Sequence, residues 1–121
     1  MEMGSIELAV QYFGNVVRTK PKNLNGWLEL LKCLYKTNCF EEGAEYVDHA
    51  LELTNHKPIF YLYKSAFLLA LGKTKEAVIQ LENGMAKNPR LIKKLVDLNP
   101  SILQHQLIVD VIARFKRNKS I

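Results

Sequence analysis

The side chains best suited to metal or nucleophilic chemistry in this sequence are three histidines and two cysteines. His49, His56 and His105 are far apart in the chain, and no His-Glu-x-x-His arrangement joins any of them to a second ligand. Cys33 and Cys39 lie six residues apart, a spacing that matches neither a zinc motif nor a disulfide framework. The glycines are scattered, so they form no phosphate-binding loop. The sequence therefore predicts solvent-facing histidines, free thiols, and neither a metal nor a cofactor.

An acidic pair, Glu41 and Glu42, is the remaining candidate for chemistry, because neighbouring carboxylates can act in general acid–base catalysis. The competing interpretation is structural, since carboxylates also stabilise the positive N-terminal end of a helix. We favour the structural interpretation and predict that the protein is not an enzyme. Free thiols are typical of a reducing compartment, and no signal-peptide core follows Met1, so we expect a cytoplasmic protein.

Length and composition predict one soluble domain. The chain has 121 residues, of which 48% are hydrophobic and 24% charged, as in ordinary globular proteins. It contains no apolar run of about 18 residues, so no membrane span is predicted. Such a domain needs elements that bury an apolar face and position the remaining side chains.

The main pattern is an internal repeat between positions 24 and 89, in which residues 39–44 align with residues 73–78. Apolar residues recur every three or four positions within each half, which predicts two amphipathic helices per repeat. Ser5 and Thr74 are expected to cap helices, and Asn38 and Gly72 to end helices in the left-handed conformation. Asn99 and Pro100 are expected to start the last helix. The predicted helices are 6–19, 24–37, 40–53, 58–71, 74–87, 90–98 and 101–117.

These residues resemble the tetratricopeptide repeat family, whose period is about 34 residues. Its repeat positions 4, 7, 8, 11, 15, 20, 24, 27 and 32 are matched in two sets of residues. The first set is Trp27, Leu30, Leu31, Leu34, Asn38, Gly43, Val47, Ala50 and Asn55, and the second is Tyr61, Lys64, Ser65, Leu68, Gly72, Ala77, Leu81, Gly84 and Pro89. Leu31, Lys64 and Asn55 depart from the family pattern.

The resemblance implies an all-α fold in which antiparallel helix pairs stack as a right-handed superhelix. Its parts are a half repeat at 6–21, repeats at 24–57 and 58–91, and C-terminal capping helices at 92–117. Because the chain opens on a half repeat, we expect it to be the C-terminal part of a longer array. The resemblance also places Glu41 and Glu42 in the first turn of a second helix, where they favour the helix dipole.

The function that the resemblance implies is binding of a partner peptide or helix in a concave groove, which makes the module a non-catalytic scaffold. Leu28, Leu62 and Ala66 replace residues of the carboxylate clamp found in one subgroup of the family, so we expect an apolar or amphipathic ligand instead. Its flanks are expected to be acidic, because Lys32, Lys36 and Lys93 border the groove. Val96 continues the groove on the next helix. The partner-binding residues carried over from the family are Asn25, Leu28, Lys32, Tyr35, Lys36, Ile59, Leu62, Ala66, Leu69, Ala70 and Lys93.

Two alternatives remain open. The first is a self-assembly module, a homo-oligomer in which copies bury the open flank of the half repeat and the apolar groove. The second is nucleic-acid binding through Arg114, Lys116, Arg117 and Lys119. Residues 1–86 hold 9 Lys/Arg and 10 Asp/Glu, net −1, whereas residues 87–121 hold 8 and 2, net +6. We regard the basic C-terminal end as the less favoured binding surface, because no aromatic ladder accompanies it.

Overall fold

The computed structural model describes the backbone of residues 3–119 and the side chains of residues 7–117. Within these residues the fold is all-α and contains no strand, which confirms the all-α part of the predicted fold class. Two short 3-10 segments, Pro89–Leu91 and Pro100–Gln104, interrupt the C-terminal third. The α-helices are α1 Met3–Thr19, α2 Leu24–Lys36, α3 Phe40–Leu53, α4 Pro58–Ala70, α5 Thr74–Lys87, α6 Ile92–Leu98 and α7 Gln106–Lys119.

Helix boundaries recur with the period of the sequence repeat, which aligns position 24 with position 58. In that alignment both ends of α4 fall on the ends of α2, and both ends of α5 fall on the ends of α3. The end of α1 at Thr19 aligns in the same way with the end of α3. Asn38 and Gly72, which occupy equivalent positions, both have positive φ, as predicted (63° and 80°). The repeat in the sequence is therefore a repeat in the local structure.

Several local predictions differ from the structure. Ser5 lies inside α1 and does not cap it. Thr74 is the first helical residue of α5, and Lys73 occupies the N-cap position without a side-chain capping hydrogen bond. The predicted helix 101–117 is divided at His105, whose backbone is extended. The carbonyl of His105 accepts hydrogen bonds from the amides of residues 108 and 109, which starts α7 anew. Asn99 does cap the segment that follows, since its side chain accepts from the Ser101 amide at 3.0 Å.

The chain divides into two compact units, unit 1 (Met1–His56) and unit 2 (Lys57–Ile121). The division falls one residue before the predicted repeat boundary between positions 57 and 58.

Unit 1 consists of α1, α2 and α3, with α2 packed against both of the other helices. Asn23 caps α2 by accepting a hydrogen bond from the Gly26 amide at 2.9 Å. A Cβ atom on Gly26 would lie only 2.9 Å from Cγ1 of Val16, so glycine is what allows α1 to approach α2 closely. Trp27 is buried beside this contact, and its indole nitrogen donates to the Pro21 carbonyl at 2.7 Å. These contacts fix the end of α1 against the start of α2.

Unit 2 is built around α4, which is apolar on nearly all sides and correspondingly buried. The helix α5 packs along it, and α6 and the Pro89–Leu91 segment also contact it. Ser65 donates its hydroxyl to the Ala77 carbonyl of α5 at 2.8 Å. Gly84 lets α5 approach α4, because a Cβ there would overlap the side chain of Leu62. The helix α7 packs against α5.

Candidate functional site

The residues suited to metal or nucleophilic chemistry are not brought together. His49, His56 and His105 are all exposed, and Cys33 and Cys39 are free thiols. In the part of the chain that the structure describes, no three or more His, Cys, Asp or Glu side chains come close enough to hold a metal ion. Burial raises the pKa of the Cys33 thiol above its usual value, neighbouring Glu29 adds to this, and Lys36 opposes it. A higher pKa lowers the thiolate fraction, which is unfavourable for a nucleophile.

The acidic pair occupies the place that the resemblance implied. Glu41 and Glu42 are exposed and lie in the first turn of α3. At this end of a helix the unpaired backbone N–H groups carry partial positive charge, which carboxylates stabilise. Their position is thus accounted for by helix stability.

The predicted exposure of three groove residues is wrong, because the structure buries them. Ile59, Leu62 and Ala66 of α4 have 8%, 0% and 0% of their surface exposed. The reason is that α4 is apolar around most of its circumference and so needs to be covered on most sides, whereas the prediction treated one side as solvent-facing. Leu69 is half-buried, and only Ala70, at the end of the helix, is exposed.

The expected contacts on α2 are more accessible. Asn25 and Lys36 are exposed, and Leu28, Lys32 and Tyr35 are half-buried along the same side of the helix. Lys32 forms an ion pair with Glu29 at 3.5 Å, and the Tyr35 ring meets the Phe40 ring edge-on at 5.4 Å between centroids. Lys93 of α6 is exposed in unit 2. The role of these residues in binding stays a prediction.

Sequence reasoning missed a groove in unit 1 that lies between α1 and α3 over the start of α2. We call it the α1–α3 groove; its volume is about 330 Å³. Val17 and Trp27 are its most buried residues, at 6% and 3% exposure, and form its floor. The groove is lined by Gly14, Val17, Arg18, Pro21, Trp27, Tyr46, His49 and Leu53.

One wall of the α1–α3 groove is a stripe along α3. Tyr46, His49 and Leu53 follow one another at intervals of three and four residues, so they share one side of the helix. Tyr46 and Leu53 are large apolar residues that remain 37% and 44% exposed. The opposite wall is open at Gly14, where a Cβ would meet no atom within 4 Å. The groove can therefore accept apolar groups that the protein itself leaves uncovered.

The α3 side of the groove is acidic. Exposed Glu45, Asp48 and Glu52 form a second stripe on α3, directly beside the first. Arg18 is among the lining residues, and exposed Lys20 and Lys22 flank Pro21, so the acidic side of the groove is that of α3. Residues 1–56 as a whole hold 5 Lys/Arg and 8 Asp/Glu, net −3. An apolar segment with basic neighbours complements this surface best. The sequence feature that could have indicated this groove is the set of large apolar residues on α3 that lie outside the helix's core-forming positions.

The basic C-terminal end is less free than its sequence indicated. Arg114 of α7 donates to the Glu82 carboxylate of α5 at 2.8 Å, which joins the two helices of unit 2. Lys116 and Arg117 are exposed, whereas the side chain of Lys119 lies outside the described residues. Leu103 and Leu107, which lie on either side of the helix break at His105, are 46% and 52% exposed.

Among the described residues, no helix is both long and apolar enough to cross a bilayer. Comparisons of the chain with protein-family models, with curated proteins and with solved structures found no match.

Proposed function

We propose that the protein is a non-catalytic protein-binding module of the tetratricopeptide type. Two observations support this assignment. In the repeat alignment, both ends of α4 and α5 coincide with those of α2 and α3. Asn38 and Gly72, which occupy equivalent positions, both have positive φ. Stacking of these pairs as a right-handed superhelix is part of the proposal. The observation that carries the binding role is the α1–α3 groove, whose apolar wall residues Tyr46 and Leu53 are exposed.

The ligand that this groove fits is an amphipathic polypeptide segment with large apolar side chains next to Lys or Arg. Apolar side chains would cover Tyr46 and Leu53, and the cations would face the acidic stripe of α3. Most of the binding free energy is expected from burial of the apolar side chains, since exposed ion pairs contribute at most about 1 kcal/mol each. The charges would chiefly select the partner and its orientation.

A peptide-display selection on the wild-type protein tests this function. Selected sequences are expected to share apolar residues at helical spacing with basic neighbours, and to lose most of their affinity for the Tyr46→Glu variant. Ile79→Glu is the matched control, because Ile79 is also an exposed apolar residue of a helix but lies on α5 in unit 2. Selected peptides that bind the Tyr46 variant as well as they bind the control would exclude the groove as the binding site.

A self-assembly module is the second candidate, favoured by Leu8 and Tyr12 of α1. These residues are one helical turn apart and 67% and 63% exposed, so α1 carries an uncovered apolar surface. In this alternative a second copy of the chain covers them. Light scattering over a concentration series distinguishes the two: a dimer that dissociates in the Leu8→Glu, Tyr12→Glu variant supports self-assembly, and a monomer at every concentration excludes it.

A further inference from the structure

A smaller pocket in unit 2 has the opposite charge environment from the α1–α3 groove. It lies where the end of α5, the Pro89–Leu91 segment, the start of α6 and the last part of α7 meet, and its volume is about 210 Å³. We call it the unit 2 pocket. Met85 is its most buried residue, at 1% exposure. The lining residues are Met85, Pro89, Arg90, Ile92, Phe115 and Lys116.

Unit 2, which contains this pocket, is strongly basic, and two of its cations, Arg90 and Lys116, line the pocket. Residues 57–121 hold 12 Lys/Arg and 4 Asp/Glu, net +8, although residues 1–56 are net negative. Glu82 is paired with Arg114, and Asp97 is the exposed carboxylate of α6. Exposed cations occur on the pocket rim or within a few residues of it in the sequence: Lys87, Arg90, Lys93, Lys94, Lys116 and Arg117.

Helix stability accounts for only part of this charge. The C-terminal turns of α5 and α7 contribute to the pocket, and a helix C-terminus carries about half a negative charge, which favours nearby cations. Two helix ends therefore neutralise the equivalent of about one cation. Arg90 belongs to the 3-10 segment and not to either helix end. The cations therefore outnumber what the two helix ends can neutralise, and a net positive surface remains next to the apolar pocket.

The size and lining of the unit 2 pocket narrow the class of ligand. Pockets for whole small molecules usually have volumes of about 300–1,000 Å³, so this one fits a single large side chain better. Single-stranded nucleic acids bind through exposed aromatic side chains on which bases stack. The large hydrophobic residues exposed in the described part of unit 2 are Ile79, Leu103 and Leu107, none of which is aromatic, and the aromatic residue that lines the pocket, Phe115, is half-buried. These features favour a polypeptide ligand.

We propose that unit 2 binds an acidic peptide segment, which inserts one large apolar side chain into the unit 2 pocket and places carboxylates against Arg90 and the neighbouring cations. This is a second site, chemically distinct from the α1–α3 groove, which selects basic neighbours. Burial of one leucine-sized side chain corresponds to about 10- to 100-fold in affinity. The carboxylates make binding dependent on salt, because exposed ion pairs are screened.

Fluorescence anisotropy with defined peptides tests the proposal. The probe is a fluorescein-labelled peptide of Glu and Asp residues with one central Leu, and its matched controls replace either the Leu by Ser or every acid by its amide. The Leu peptide is expected to bind about 10-fold or more tightly than the Ser peptide. The amide peptide is expected to bind weakly, and added salt to weaken binding of the acidic peptide.

Two charge reversals locate the binding. Arg90→Glu is expected to weaken binding of the Leu peptide by about 5-fold or more, since it replaces attraction by repulsion at the rim. Lys75→Glu is the control, because Lys75 is also an exposed cation of unit 2 but lies in the first turn of α5, at the other end of that helix. Both residues are exposed, so both variants are expected to keep the wild-type helix content in circular dichroism.

Three results would overturn the proposal. Equal affinity for the Leu and Ser peptides would mean that unit 2 attracts polyanions without using the pocket. Equal losses in the two charge variants would mean that only net charge matters. Tighter binding of a single-stranded oligonucleotide than of the Leu peptide would make nucleic acid the ligand. The variant Gly14→Leu, which fills the α1–α3 groove, is expected to leave binding of the acidic peptide unchanged, so that failure of one site is distinguishable from failure of the other.

Discussion

Gly84 is the residue at which the packing of α5 on α4 can be tested most sharply. A Cβ added there would overlap Cδ1 of Leu62 and lie 3.2 Å from both the Pro58 carbonyl oxygen and Cβ of Tyr61. Leu62 has none of its surface exposed, so its side chain has no solvent to move into. The other two atoms belong to the backbone or are attached directly to it. Gly84→Ala is therefore expected to strain the contact between the two helices.

Gly14→Ala is the matched control, because Gly14 also lies inside a helix but an added Cβ meets nothing within 4 Å. Replacing Gly by Ala within a helix favours folding by about 1 kcal/mol at either site. Overpacking at Gly84 opposes this by about 1–3 kcal/mol. We expect Gly14→Ala to raise the free energy of unfolding by about 1 kcal/mol, and Gly84→Ala to fall about 1–3 kcal/mol below it.

Urea unfolding followed by far-ultraviolet circular dichroism measures both changes. Because the helix-propensity contribution is common to the two variants, their difference isolates the steric cost at the α4–α5 contact. Equal stabilisation of the Gly84→Ala and Gly14→Ala variants would contradict this expectation, since the space beside Gly84 would then accommodate a methyl group.

Three further predictions concern single residues. Ser65→Ala is expected to lower the free energy of unfolding by about 0.5–1.5 kcal/mol, measured in urea, because it removes the hydrogen bond to Ala77; an unchanged value would mean that this bond contributes nothing. Asn38→Gly is expected to raise thermal stability, by up to about 1 kcal/mol, since glycine adopts its positive φ without strain; a lower melting temperature would contradict this. In a Cys39→Ser variant, alkylation of Cys33 is expected to be slow at neutral pH, because burial raises the pKa of this thiol. The alkylation rate is expected to increase with pH, with a midpoint above that of an ordinary thiol. A midpoint below that of a free cysteine would mean that the pKa is lowered and not raised.

Helix boundaries were predictable because the signals for them are local. The sequence repeat located α2, α3, α4 and α5 to within one residue at each end, and Asn38 and Gly72 are at the predicted left-handed positions. Such features depend on residues a few positions apart. Asn55 and His56, which also have positive φ, were missed because the turn was aligned with a position where the family has proline.

Burial was harder to predict because it depends on the whole arrangement of helices. Leu62 and Ala66 were assigned to an exposed surface by family position, although α4 is apolar almost all round and its burial could have been expected from that property. The α1–α3 groove was missed for a related reason. Its lining combines three helices, and only the spacing of Tyr46, His49 and Leu53 was visible in the sequence.

The opposite net charges of the two units were not recognised from the sequence, because the charges were counted on either side of a different boundary. That boundary was placed before residue 87, where the basic C-terminal end begins, and it gave residues 1–86 a net charge of −1. The structural boundary after His56 separates net −3 from net +8. The two proposed binding surfaces, with their opposite charge preferences, can be inferred only with this boundary, because it assigns each pocket and the surrounding charge to the same unit.

Trp27 allows the most direct test of the central claim, which is that the α1–α3 groove binds a partner segment. It is the single tryptophan of the chain and lines the groove. A peptide selected for binding is expected to change the fluorescence emission of Trp27 saturably in the wild type and in the Gly14→Ala variant. In the Gly14→Leu variant, whose added side chain enters the groove, the peptide is expected to bind weakly and to leave the Trp27 emission unchanged. Equal binding to Gly14→Leu and Gly14→Ala, with unchanged Trp27 emission, would contradict the account.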